Sequence, residues 1–141
     1  MKKKFKFKHK TGKTFKDTRG WLKKILDGNF SSCIEVYSKK GTTRANHYHK
    51  KDKHFIYVIT WEILYFYKDR KKGSKVQTKK MKKNDLFFTP AMQEHMAYFL
   101  KHTHFLAFST RKRTKFDYEK DLVRVNMQNY RKVKAAITRY K

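Results

Sequence analysis

The chain has 141 residues, enough for one domain with a real core and short for two. Hydrophobic residues make up 38% and aromatics are abundant, which excludes a disordered polyelectrolyte despite a formal net charge of +27. That charge favours anionic partners, a single cysteine (Cys33) excludes an intramolecular disulfide, and no apolar run approaches the ~20 residues of a membrane-spanning helix.

Residues 1–16 alternate lysine with Phe5, Phe7 and Phe15 and read as a basic N-terminal arm or an edge strand. No apolar stretch follows that would make a signal peptide, so a cytoplasmic protein is expected. Asp17 to Leu26 opens on a turn and supplies Trp21, Leu22, Ile25 and Leu26 as apolar contacts. Strand-length runs then follow over Ser32–Ser38, Thr42–Lys50, Phe55–Trp61, Glu62–Lys68, Lys75–Met81, Asp85–Thr89, His95–Leu100 and Thr103–Ser109. Turn signals separate them, and short strands at this spacing predict an all-β sandwich or barrel in one domain over residues 17–125. Ile63, Tyr65 and Tyr67 alternate with Leu64 and Phe66, so that strand is expected to be covered on both faces. Cys33 falls in an apolar strand pattern with Ile34 and Val36 and is expected to be a buried structural thiol. Met127, Tyr130, Val133, Ile137 and Tyr140 recur at helical spacing and predict a packing or dimer-forming helix over roughly 126–139, within a C-terminal segment 126–141.

The chemistry concentrates in the histidines. His47 and His49 are two residues apart on a predicted strand, so their side chains share a face. His54 follows five residues on, and His95 stands in a second block about forty residues later. Neutral imidazoles grouped in this way suit a first-row metal ion such as Zn, Ni, Fe or Cu. His9, in the basic arm, and His102 and His104 read as surface residues. There is no Gly-rich phosphate loop, no paired carboxylate motif and no Ser or Cys nucleophile motif, and no nucleotide cofactor is expected.

These two blocks resemble the motifs of the cupin family. The first family motif runs Gly, five residues, His-x-His, three or four residues, Glu, six residues, Gly. Here Gly41 is followed by five residues and His47-Tyr48-His49, then His54 at the Glu position and Trp61 at the second Gly. The second motif runs Gly, five residues, Pro-x-Gly, two residues, His. Here Asn84 replaces the first glycine, Pro90-Ala91-Met92 replaces Pro-x-Gly, and His95 keeps the histidine. Arg44-Ala45-Asn46-His47-Tyr48-His49-Lys50 resembles the Arg-Gly-x-His-x-His-Lys segment of cupins that act on nucleotide sugars, the sugar 3,4-ketoisomerases and the epimerases of capsule and O-antigen synthesis. Asp17-x-Arg19-Gly20-x-Leu22 resembles their opening motif, and Asp117-Tyr118 through Asp121 and Arg124 their closing Tyr/Asp-rich segment.

The resemblance implies an antiparallel jelly roll with a C-terminal helix, a homodimer, and a nucleoside-diphosphate 4-keto-6-deoxy sugar as substrate in polysaccharide or glycan biosynthesis. Histidine would move the proton in isomerisation or epimerisation, His49 first and His47 second. Tyr57, Tyr65 or Tyr98 would return a proton or line the substrate site, and Arg44 and Lys50 would hold the diphosphate. Tyr48 points to the opposite strand face. Metal dependence stays open: the ketoisomerase branch has Gln where His54 stands and resembles metal-free enzymes, whereas the capsule-epimerase branch has Glu there and can hold zinc. An ion would take His47, His49, His54 and His95. Two other classes compete: a non-sugar metal cupin with a four-His site, and a degenerate basic β-barrel that binds nucleic acid through Phe55–Val58 and Tyr65–Tyr67. Salt-dependent binding of polyanions is expected from charge alone.

Overall fold

The computed structural model describes residues 5–141. Its strands are β1 (Lys8–His9), β2 (Thr14–Asp17), β3 (Gly20–Lys23), β4 (Ser32–Ser38), β5 (Thr43–His49) and β6 (His54–Thr60). They continue as β7 (Glu62–Asp69), β8 (Gln77–Lys82), β9 (Leu86–Thr89), β10 (Gln93–Phe99), β11 (Thr103–Ser109) and β12 (Leu122–Arg124). One five-stranded sheet has the order β1-β9-β6-β11-β4 and the other β12-β5-β10-β7-β8, while β2 and β3 form a separate hairpin. Every pairing is antiparallel. The predicted strands are all found, their ends shifted by at most two residues, and the jelly-roll expectation holds.

Alternation decides what each face covers. Ile56, Val58, Ile63, Tyr65, Phe87, Phe99 and Phe105 fill the space between the sheets. Leu64, Phe66, Met96 and Tyr98 point the other way and pack under Met127 and Val133 of the C-terminal segment. Strand β7 is therefore buried on both faces, as its two apolar rows predict. The aromatic runs Phe55–Val58 and Tyr65–Tyr67 are largely consumed by this packing, with Tyr57, Tyr65 and Phe66 buried. Phe55 and Tyr67 at the ends of these runs are half-buried.

Three expectations are corrected. The C-terminal helix is broken: a 3-10 turn over Met127–Asn129 precedes α2 (Arg131–Thr138), with Tyr130 extended between them. The break is fixed from outside, because the Met127 amide donates to Asn46 Oδ1 at 2.8 Å and Tyr130 donates to Glu94 at 2.9 Å. A further helix, α1 (Lys115–Asp121), stands where no element was expected. Its start is a Thr114-x-x-Asp117 box, in which Thr114 Oγ1 accepts from the Asp117 amide at 3.2 Å. Cys33 is exposed: β4 is the last strand of its sheet, and Ile34 and Val36 rather than Cys33 face inward. No described helix is long and apolar enough to cross a membrane.

Candidate functional site

Positive backbone φ marks each glycine position of the two resembled motifs. Gly41 has φ 82°, and the residues replacing the other glycines follow suit: Trp61 67°, Asn84 73° and Met92 61°. Ala45 and Asn46, before the His-x-His, have φ 68° and 65°. The backbone shape survives where the residue that adopts it without strain does not. At Ala45–Asn46 the register shifts, so that His47 pairs with His95 while Ala45 pairs with Met96. This bulge re-aims the strand.

His47 and His49 on β5, His54 on β6 and His95 on β10 converge, each no more than 7% exposed. Ring centroids are 4.8 Å apart for His47–His49 and His47–His95, 5.1 Å for His54–His95 and 5.8 Å for His49–His54. A cavity of about 310 Å³ opens in front of them. Its wall includes His47, His54, His95, Tyr65, Tyr118 and two cations, Arg44 and Arg113. His49 is not among the residues lining this cavity; its ring stands 4.8 Å from that of His47 and 5.8 Å from those of His54 and His95.

Pairing of β12 with β5 sets Leu122 opposite His49, which brings the end of α1 over the site. Asp121 and Tyr118 lie one helical turn apart on α1. Asp121 Oδ2 is 3.1 Å from His49 Nδ1, and the amides of Lys51 and Asp52 hold the carboxylate at 2.8 and 3.1 Å. These donors keep Asp121 below the usual carboxylate range against the opposing effect of burial. His49 Nε2 is buried with no protein partner. The Tyr118 ring stands 5.9 Å from His49 and 6.1 Å from His47. Burial pushes its hydroxyl up, and that hydroxyl bonds to no described residue.

Burial also holds all four imidazoles neutral. It pushes His47 down to about 2 and His95 down to about 3, with neighbouring histidines adding to the effect. His54 falls well below its ordinary value, and His49 falls less because Asp52 and Asp121 oppose burial and the Arg113 charge. Uncharged imidazoles in this state can accept a proton or ligate a metal ion.

The other expected site residues divide. Tyr65 lines the cavity, but its hydroxyl is tied to Thr89 Oγ1 at 2.6 Å and burial pushes its pKa up. Arg44 lies at the wall, with Nε donating to Ser38 Oγ at 2.6 Å. Tyr57 points away from the histidines and donates to Asn84 at 3.0 Å, because strand alternation puts it opposite Ile56 and Val58. Tyr98 packs in the outer layer under α2, on the face of β10 opposite His95. Lys50 lies in a separate basic cleft with Lys51, Lys53, Arg111, Lys112 and Lys120. Tyr48 does face away, under Arg70. His102 and His104 are on the surface, and His9 packs edge-on against Phe55 at 5.1 Å. Sequence reasoning missed Arg113 and gave no role to Tyr118 or Asp121, although the Asp117-Tyr118…Asp121 pattern pointed at the segment.

No family model matches the sequence, and no curated protein matches it. The fold has clear relatives among solved structures. A dTDP-4-dehydrorhamnose 3,5-epimerase from Bacillus anthracis, with TDP and pyrophosphate bound, superposes with TM-score 0.70 at 17% identity over 88% of this chain and 79% of that one. A sugar 3,4-ketoisomerase from Thermoanaerobacterium thermosaccharolyticum, in complex with TDP, gives 0.66 at 15% identity over 93% of this chain and 94% of that one. The corresponding epimerase from Sulfolobus tokodaii gives 0.63 at 20% identity over 74% and 69%. The chain has the cupin fold of these sugar-nucleotide enzymes.

Proposed function

We propose that the protein is a proton-transferring isomerase or epimerase of a nucleoside-diphosphate 4-keto-6-deoxy sugar. The observation that carries this reading is the His49–Asp121 pair. Asp121 holds Nδ1 and so places the vacant valence of the ring on Nε2, inside a cluster of neutral imidazoles. The solved neighbours support the substrate class, since one is a ketoisomerase variant in complex with TDP-4-keto-6-deoxyglucose.

The ketone acidifies the adjacent C–H. His49 takes that proton, the C–H pair becomes the enolate C=C, and the carbonyl electrons move onto oxygen. Return of a proton to the former carbonyl carbon, with the proton of the adjacent hydroxyl passing to the old carbonyl oxygen, gives the isomer; return to the other face of the original carbon gives the epimer. Tyr118 is the better donor, because its hydroxyl is uncommitted whereas that of Tyr65 is bonded to Thr89. Arg44, at the wall, suits the diphosphate.

The test is incubation with dTDP-4-keto-6-deoxyglucose in D2O at 0.3 M salt, where non-specific polyanion binding fades. Deuterium entering at the carbon beside the ketone, followed by NMR, is expected. Neither binding nor exchange by the intact protein would sink the reading. Exchange lost in His47→Asn but kept in His49→Asn would move the base to His47.

A metal-dependent variant of this reading rests on one observation. One ring nitrogen from each of His47, His49 and His95 lies within 4.8 Å of the other two. A tetrahedral ion with ligands at ~2.1 Å needs nitrogens about 3.4 Å apart, so the donors fit in kind after the rings close slightly. His54 would be the fourth ligand, and a bound Zn, Ni, Fe or Cu ion would polarise the carbonyl. The second acidic group, His49 with Asp52 and Asp121, is already saturated by amide and hydroxyl donors. Arg113 places a fixed positive charge in the cavity, which opposes a dication there, so metal-free proton transfer is favoured. Exchange retained after chelation, with metal well below one ion per chain, is the expected result. A homodimer would cover the exposed Phe15, Trp21 and Leu22 of the β2–β3 hairpin, and light scattering measures it.

A further inference from the structure

We propose that Arg113 is a catalytic residue of this cavity, its guanidinium receiving the oxygen that becomes negative when the sugar is deprotonated. This rests on the proton-transfer reading above and adds to it the group that makes the step affordable in a dry site. Arg113 lies between β11 and α1, and its side chain is 18% exposed. Nε donates to Ser109 Oγ at 3.0 Å, and the guanidinium lies over the Tyr118 ring at 5.2 Å from its centroid. Nη2 stands 3.7 Å from Asp52 Oδ2, a charge pair beyond hydrogen-bond length. The other Asp52 oxygen is taken by Thr110 Oγ1 at 3.0 Å and the Arg111 amide at 3.1 Å. Asp52 is thus anchored without Arg113, and it offsets part of the cost of burying the guanidinium. Among the described residues, neither terminal nitrogen of Arg113 donates a hydrogen bond.

The rest of the cavity explains why those donors matter. Of the two cations at its wall, Arg44 is already engaged with Ser38 Oγ and the Tyr37 carbonyl. An enolate formed there without a cation would be an unpaired charge in a low-dielectric site. A 4-keto sugar with a 3-hydroxyl gives an enediolate, two oxygens on adjacent carbons, which matches the two-pronged donor face of arginine better than the point charge of lysine. The electron balance is closed. The C–H pair becomes the C=C and the carbonyl pair moves to the oxygen facing Arg113. The proton goes to His49, and reprotonation at carbon reverses the flow without any redox partner.

Deuterium exchange into dTDP-4-keto-6-deoxyglucose, with calorimetric binding of dTDP, tests this in wild type, Arg113→Gln and Arg113→Lys. The Gln variant is expected to lose about 100- to 1,000-fold in kcat, the range for one oxyanion donor, with KM and dTDP affinity within about threefold. The Lys variant keeps charge and bulk against a folding defect and is expected to fall about tenfold. Added guanidinium ion is expected to restore part of the Gln variant's exchange, which a purely structural role would not allow. Exchange within about threefold of wild type in both variants would overturn the proposal and leave the enzyme reading standing. Loss of dTDP affinity with unchanged kcat would make Arg113 a diphosphate anchor and overturn it too. A wild-type protein that neither binds nor exchanges would remove both.

Discussion

One strand, β10, carries two different solutions to burial. On its outer face Met96 and Tyr98 join Leu64, Phe66, Met127 and Val133 in a packed apolar layer, where fit is the whole requirement. On its inner face His95 meets three other histidines beside a cavity, and buried ring nitrogens of His49 and His54 lack any protein partner. An unpaired buried polar atom costs roughly 1–3 kcal/mol. The outer layer stabilises the fold, and the inner face spends part of that stability on groups held neutral and unpaired. That difference puts the candidate site on one side of a single strand.

Substitutions should separate the two faces. The largest effect is expected from His49→Asn, which should cut exchange by about 1,000-fold, roughly 4 kcal/mol of barrier, with little change in thermal midpoint. A comparable loss of stability in His49→Asn would erase the contrast. Met96→Ala should do the reverse, costing about 3 kcal/mol in urea unfolding while kcat per folded molecule stays near wild type.

Acid should distinguish the faces next. The unfolded chain binds protons at ordinary histidine values near 6.5. Folded His95 and His47 do so only near about 3 and about 2, because burial disfavours the charged ring. Stability of chelator-treated protein should therefore be flat above pH 7 and fall from about pH 6.5 downward, by about 1.4 kcal/mol per pH unit for each such histidine. His95→Gln should make that slope shallower, whereas Met96→Ala should lower the curve without tilting it. The smallest effect is expected at the bulge that aims β5. Ala45→Gly should raise stability by about 0.5 kcal/mol by relieving a left-handed alanine, visible as a higher urea midpoint with exchange unchanged.

Strands β4 to β11 were legible because each carries its own apolar pattern: β4 and β11 fall where Ser32–Ser38 and Thr103–Ser109 predict, whereas the β2–β3 hairpin and the three-residue β12 were not read from the sequence. The histidine cluster was legible for a related reason, since two of its members sit on one strand face and the other two in motifs of fixed order. Helix α1 was not, because seven polar and aromatic residues carry no apolar period and only the Thr114–Asp117 box announces them. Choosing among tyrosines failed at Tyr57 and Tyr98, since which face of a strand turns inward depends on the sheet that packs against it.

By itself the sequence determined the all-β class, the bounds of β4 to β11 within two residues and the histidines, all of which follow from local period and residue chemistry. It did not determine which oxygen and which cation would meet them. Asp121 reaches His49 across 72 positions and Arg113 reaches Asp52 across 61, and those pairings exist only because β12 docks on β5 and the loop after β11 folds over the cavity. The proposed proton transfer needs the histidines that the chain spells out. The Asp121 carboxylate and the Arg113 charge beside them are set by packing between distant segments, and tertiary structure alone decided them.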